Sequence, residues 1–99
     1  MYSIHIRDVR FEWDALKDSA NHLKHGISFA EALTVFFDEH AQRFFDPDHS
    51  QDEDRFIQFG LSAKQRVLVV SYCFREGVPA IRIISERKAV PQEAEDYGR

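Results

Sequence analysis

Between residues 24 and 31 the chain closes one helix and opens another almost at once. Lys24-His25-Gly26 reads as a helix terminus. Gly tolerates the left-handed backbone that ends a helix, and two cationic side chains suit the carboxyl end of its dipole. Ser28-Phe29-Ala30-Glu31 matches a capping box, in which the Ser hydroxyl and the Glu carboxylate each satisfy a free backbone donor at a helix start. A join as short as His25-Gly26-Ile27 does not leave the helices independent.

The first helix is predicted over about Ala15 to His25, with Asp14 as N-cap and Leu16, Ala20 and Leu23 as the apolar stripe. In the second, Phe29, Ala32, Leu33 and Phe36 share a face, and the helix ends near Phe37 or Asp38. Around this pair the chain reads as strands. Val9 to Trp13 alternates apolar and polar residues, and Ala41 to Phe45 follows the helices. Arg55 to Ser62 places Arg55, Ile57, Phe59 and Leu61 on one face. Arg66 to Phe74 is apolar on both faces, as a central strand would be, with Ala63-Lys64-Gln65 as the turn before it. Arg75 to Pro79 turns the chain into a further strand, Ala80 to Ser85, and Pro91 to Tyr97 is a short carboxyl-terminal helix with Pro at its first position. Phe44-Phe45 and Phe56 to Phe59 read as core. The expectation is an α+β fold, two N-terminal helices packed as a single layer across an antiparallel sheet, in one domain spanning residues 1–99.

Composition narrows the function classes. Cys73 is the sole cysteine, so an internal disulfide is impossible, and its apolar setting suits a packed strand position. Met1 to Asp8 has neither a basic flank nor an apolar run, so no signal peptide is expected; nor does any segment approach the roughly 20 apolar residues of a membrane helix. A cytoplasmic protein without membrane contact follows as the expectation. The formal charge of −4 is unevenly spread. From Asp38 to Gly60 seven acids face only Arg43 and Arg55, a balance of −5; from Leu61 to Val90 six bases face Glu76 and Glu86, a balance of +4. A local field of that kind matters more to a partner than the total.

Several constellations carry chemistry. Asp46, Asp48, Ser50, Asp52 and Asp54 have the alternation of a calcium loop, but Gln51 stands where Gly is needed and Ile57 where the bidentate Glu belongs, which leaves a solvated acidic loop. Asp18, His22 and His25 stack on one side of the first helix without a metal-site motif, so no metal or cofactor is assigned. Lys24 and His25 are explained by helix termination alone; the functional alternative is an amine and an imidazole free to meet phosphate or move a proton. Arg82 lies inside the apolar run Ala80 to Ser85, where a guanidinium needs an anionic partner or solvent. Arg87 and Lys88 follow at the exit of that strand.

Taken together, Phe11-Glu12-Trp13-Asp14 with Lys17, Asn21 with Lys24-His25-Gly26 and Ser28-Phe29, Glu31-Ala32, and Arg82-Ile83-Ile84-Ser85 with Arg87-Lys88-Ala89 resemble the BrnT toxin family. Asp46-Pro47-Asp48-His49-Ser50 and the spacing from Glu93 to Tyr97 agree, so the resemblance runs from about Arg10 to Tyr97. It implies a RelE-like fold and an endoribonuclease that arrests translation by cutting RNA. It also implies a BrnA-type antitoxin that neutralises the toxin and carries it to DNA, which the toxin itself touches only indirectly. Metal-free RNA cleavage needs a base for the 2′-hydroxyl, an acid for the leaving oxygen and cations for the phosphorane. Under the resemblance Arg82, Arg87 and Lys88 suit the cationic role, with Arg55 and Arg66 as secondary candidates, and Lys24, His25 or Tyr97 supplies proton transfer. The alternative from another class is a catalytically silent binding module that keeps the fold and serves as an antitoxin-bound co-repressor.

Overall fold

The structure, a computed structural model, describes residues 1–75, 77 and 79–97. The chain runs β1 (Tyr2–Ile6), β2 (Val9–Trp13), α1 (Ala15–His25), α2 (Phe29–Leu33), a 3-10 turn (Thr34–Phe37), β3 (Gln42–Phe45), β4 (Arg55–Leu61), β5 (Val67–Arg75), β6 (Ala80–Lys88) and α3 (Pro91–Asp96). The strands form one six-stranded sheet in the order β1-β2-β6-β5-β4-β3. Glu76 and Val78, within the expected turn after β5, lie outside the described residues.

Two corrections to the expected architecture stand out. The helices do not lead the fold, because β1 and β2 precede them as a hairpin closed by Arg7 and Asp8, both at positive φ (52° and 68°), the geometry of a two-residue turn that matches strand twist. The sheet is mixed rather than antiparallel, because β2 pairs parallel with β6 through Arg10–Ala80, Phe11–Ile81 and Glu12–Arg82. All other pairings are antiparallel.

The core lies on one face of this sheet. Phe11, Trp13, Leu68, Val70 and Ile83 from the strands meet Ile27, Phe29, Ala32, Leu33 and Val35 from the helical layer. Ile27, in the short join, is fully buried and pins both helices to the sheet. Gly60 permits the layer's close approach, since a β-carbon there would stand 3.1 Å from Ala41 Cβ and 3.2 Å from Val35 Cβ. Cys73 is buried, and that burial pushes its thiol pKa up.

The helix caps form as predicted at two points and differ at a third. Asp14 accepts from the amides of Leu16 and Lys17, and Gly26 ends α1 at φ 70°. At α2, Ser28 Oγ accepts from the Glu31 amide at 3.1 Å, but the Glu31 carboxylate does not return the bond. It turns inward to Ser62 Oγ (2.7 Å) and to Arg66, whose Nε and Nη2 donate at 2.7 and 2.5 Å. A bidentate guanidinium is the stronger partner for a carboxylate that is almost wholly buried.

The stripe assigned to the core face of α1 points outward. Leu16 and Leu23 are 81% and 91% exposed, and α1 has no buried residue. The reason is its berth. Beyond Arg82 no strand among the described residues pairs with this edge of β6, and α1 lies along it with its polar side inward. Asn21 Nδ2 donates to Glu86 Oε1 (2.8 Å), Asn21 Oδ1 accepts from the Glu86 amide (3.4 Å), and Asp18 Oδ1 accepts from the Phe29 amide (2.8 Å). Unpaired backbone at a strand edge asks for hydrogen bonds that a leucine cannot make. Phe44 and Phe45, expected in the core, are also half exposed, because β3 is the outer strand; Phe59 is buried.

Candidate active site

A cleft of about 400 Å³ opens between α1 and the face of β5–β6 that carries no α2. Lys17, Lys24 and His25 line it from the helix, and Ser71, Ser85 and Arg87 from the strands. Its construction depends on one irregularity. Ser71 pairs with Ser85 but Tyr72 pairs with Ile83, so Ile84 is an extra residue on β6. A bulge of this kind inverts the alternation of side chains beyond it. Ser85 and Arg87 therefore share the open face with Arg82, while Glu86, opposite Val70, is turned into the interior.

Glu86 is 2% exposed. One carboxyl oxygen takes the Asn21 amide and the other has no partner. Burial, reinforced by the nearby carboxylates of Asp18 and Glu31, pushes its pKa up to about 8, so at neutral pH it is protonated beneath the cleft. No sequence signal marked it, because its facing depends on the bulge. Lys17 was legible only as the end of the block that begins at Phe11; it stands seven residues before Lys24, two helical turns along the same face.

Of the candidate catalytic residues, Lys24, His25 and Arg87 converge on this cleft. Arg87 is held by α3: its Nη1 and Nη2 donate to the Glu93 carboxylate at 2.7 and 3.0 Å. The pairing raises the Arg87 pKa, and together with the Val90 amide lowers that of Glu93 to about 2. Arg82 lies further up the same face and has the anionic partner its position demanded. Glu12, 5% exposed, takes Arg82 Nη2 at 3.1 Å, Arg10 at 3.3 Å and Arg75 at 3.5 Å. Three guanidiniums thus share one buried carboxylate, with Asp52, Glu53 and Asp54 of the acidic loop standing beside Arg75.

The remaining candidates are placed elsewhere. Arg66 is committed to Glu31 and to the carbonyl of Gly26 (3.0 Å), where it ties the helix join to β5. Lys88 pairs with Leu68 and so faces away from Arg87. Arg55 shares a cross-strand row with Cys73 and Arg82, beside the acidic loop. Tyr97 packs edge-on against Phe59, with ring centroids 5.9 Å apart, and its hydroxyl donates to Asp38. Burial and that carboxylate push the Tyr97 pKa up to about 12. The histidine trio is split as well, since Asp18 caps α2 through the Phe29 amide.

No described helix is long and apolar enough to cross a membrane. Comparison with curated proteins gave no match. The crystal structure of the Brucella abortus ribonuclease toxin BrnT, at 1.1 Å resolution, superposes with a TM-score of 0.60 at 26% identity, over 81% of this chain and 95% of that one. The family model for the ribonuclease toxin BrnT of type II toxin-antitoxin systems matches residues 13–93, from the last residue of β2 into α3. With the match covering the helices, the bulged strand and the cleft between them, this chain belongs to the BrnT family of ribonuclease toxins.

Proposed function

We propose that this chain is an endoribonuclease toxin that cuts RNA in the cytoplasm without a metal ion, stops translation, and is neutralised by a BrnA-type antitoxin. The observation that carries the reading is the meeting of Lys24, His25 and Arg87 around one cleft wide enough for a nucleotide. Amine, imidazole and guanidinium are donors that hold a phosphate. In the reaction a base removes the 2′-hydroxyl proton, the oxygen attacks phosphorus, the bond to the 5′-oxygen breaks, and an acid protonates that oxygen. His25, with Lys24 beside it, moves the proton. Arg87 stabilises the phosphorane, a role in which preorganised charge is worth several kcal/mol, about 2.7–4 for one donor.

Arg82 holds a phosphate further along the strand and Arg55, in the same cross-strand row, adds a peripheral contact, while Lys88 on the opposite face takes no part in this reading. Tyr97 drops out of proton transfer in this reading, since Asp38 holds its proton. Arg66 likewise serves the fold. The antitoxin supplies the contact with operator DNA.

One observation favours the second reading, a silent antitoxin-bound co-repressor: Arg66, Arg82 and Arg87 all have carboxylate partners already. Induction in a bacterial host lacking the antitoxin decides between the two. An active toxin arrests growth and fragments RNA, and Arg87→Ala and His25→Gln relieve both effects. Normal growth with intact RNA, alike for wild type and variants, establishes the silent module.

A further inference from the structure

α1 is built inside out. Its inward side is Asp18, Asn21 and His25, its outward side is Leu16 and Leu23, and Ala20 stands at the border between the leucines and the cleft. Leu16 and Leu23 stand seven residues apart, two turns along one line, with Ala20 between them small enough to admit a close neighbour. Lone exposed leucines are ordinary; two on one helix with no buried residue form a ridge that the fold itself does not use. The charges beside the ridge are of one sign. Lys17 and Lys24 stand with Ala20 along the cleft side of the ridge, and both acids are occupied, Asp14 capping α1 and Asp18 capping α2.

We propose that this ridge is the docking site of the antitoxin, which lays an amphipathic, acidic helix along it. Apolar residues of that helix cover Leu16, Ala20 and Leu23, and its carboxylates meet Lys17 and Lys24, a helix-on-helix mode read at i, i+4 and i+7 spacing. A type II system supplies a protein partner for the toxin, and the positive rim of an otherwise acidic chain selects an acidic one. Because Lys17 and Lys24 also line the cleft, a helix lying there closes its mouth to RNA. That blockade rests on the cleft being the RNA site; the docking does not.

The test titrates the antitoxin encoded with this toxin, as purified protein, into wild type, Leu16→Glu/Leu23→Glu, and Phe44→Glu, which disturbs the exposed aromatic edge on β3 instead. The double variant leaves packing untouched and melts like wild type. It binds the antitoxin at least about 30-fold more weakly, as loss of a central apolar anchor does; Phe44→Glu binds normally. Freed of its partner, the double variant still cleaves RNA in the antitoxin's presence. Equal affinity of the double variant and wild type overturns the proposal, as does loss of binding in Phe44→Glu alone. So does a wild-type dimer that the double variant dissolves while antitoxin affinity stays unchanged, since the ridge then belongs to a second copy. If free wild type cleaves no RNA, the ribonuclease reading fails while the titration still decides the docking.

Discussion

Replacing Glu86 with Gln removes a charge that the fold resists, and the consequence is a stability profile with a defined pH window. The carboxyl titrates at about 8 in the folded chain against 4.5 ordinarily, because it is buried under α1 and faces Asp18 and Glu31. Below about pH 4.5 both folded and unfolded chains hold the proton and the group is neutral in the balance. Between that value and 8 the folded chain keeps a proton that the unfolded chain releases, so stability falls as pH rises. At about 1.4 kcal/mol per unit the full span is about 5 kcal/mol, and relaxation of the site brings a realistic figure to about 2–3 kcal/mol. Gln offers Asn21 the same acceptor and never ionises. Urea denaturation at pH 5 and pH 8.5 reads the effect. Wild type and Glu86→Gln should agree within about 1 kcal/mol at pH 5, and the variant should be more stable by about 2 kcal/mol at pH 8.5. Glu31, Asp38 and Glu93 have lowered pKa values and titrate below this window. Parallel pH profiles for the two proteins, or a variant weaker than wild type at pH 8.5, would refute the account of a buried, protonated carboxyl.

Three further outcomes follow from the same geometry. Arg66→Ala strips the buried Glu31 of its bidentate partner and should lower stability by about 2–4 kcal/mol in urea melts, with the salt dependence of RNA binding unchanged. Glu93→Gln removes a contribution that is fully present above about pH 4.5 and lost as pH falls through about 2; solvent screening limits it to about 1 kcal/mol. Urea melts at pH 6 and pH 2 measure that loss, and release of Arg87 should raise RNA affinity in a filter-binding assay. Gly60→Ala drives a methyl against Ala41, Val35 and the Asp38 carboxylate that holds Tyr97, and thermal denaturation should show a loss of about 1–3 kcal/mol.

What could be read in the sequence was local. The bounds of α1 were legible because Asp14 and Gly26 signal them within a few residues. Which side of α1 turns inward was not, since it depends on a stretch of β6 edge that β2 leaves unpaired sixty residues later in the chain. The hairpin that opens the fold was missed for a chemical reason. Arg7 and Asp8 occupy positive φ where Asn-Gly or Asp-Gly would normally announce the turn. At the candidate site, Lys24 and His25 were marked by the helix end, and Arg82 by its discord with an apolar strand. The assignment of Arg87 and Glu86 to opposite faces rests on the extra residue at Ile84, which carries no glycine or other mark. A strict alternation would have exchanged them.

The parallel pairing of β2 with β6 also sets a schedule. Arg10 meets Ala80 and Glu12 meets Arg82, partners seventy residues apart in the chain. Contacts of such long range form late, because loop closure must precede any return from the pairing. The strand that closes the sheet also carries Arg82, Glu86 and Arg87, so the cleft has no floor until β6 has left the ribosome and joined β2 and β5. A nascent chain stalled before Ala80 has α1, with Lys24 and His25, but nothing to set it against. The cleft is therefore the last part of the fold to be assembled, and no fragment that stops short of β6 can contain it.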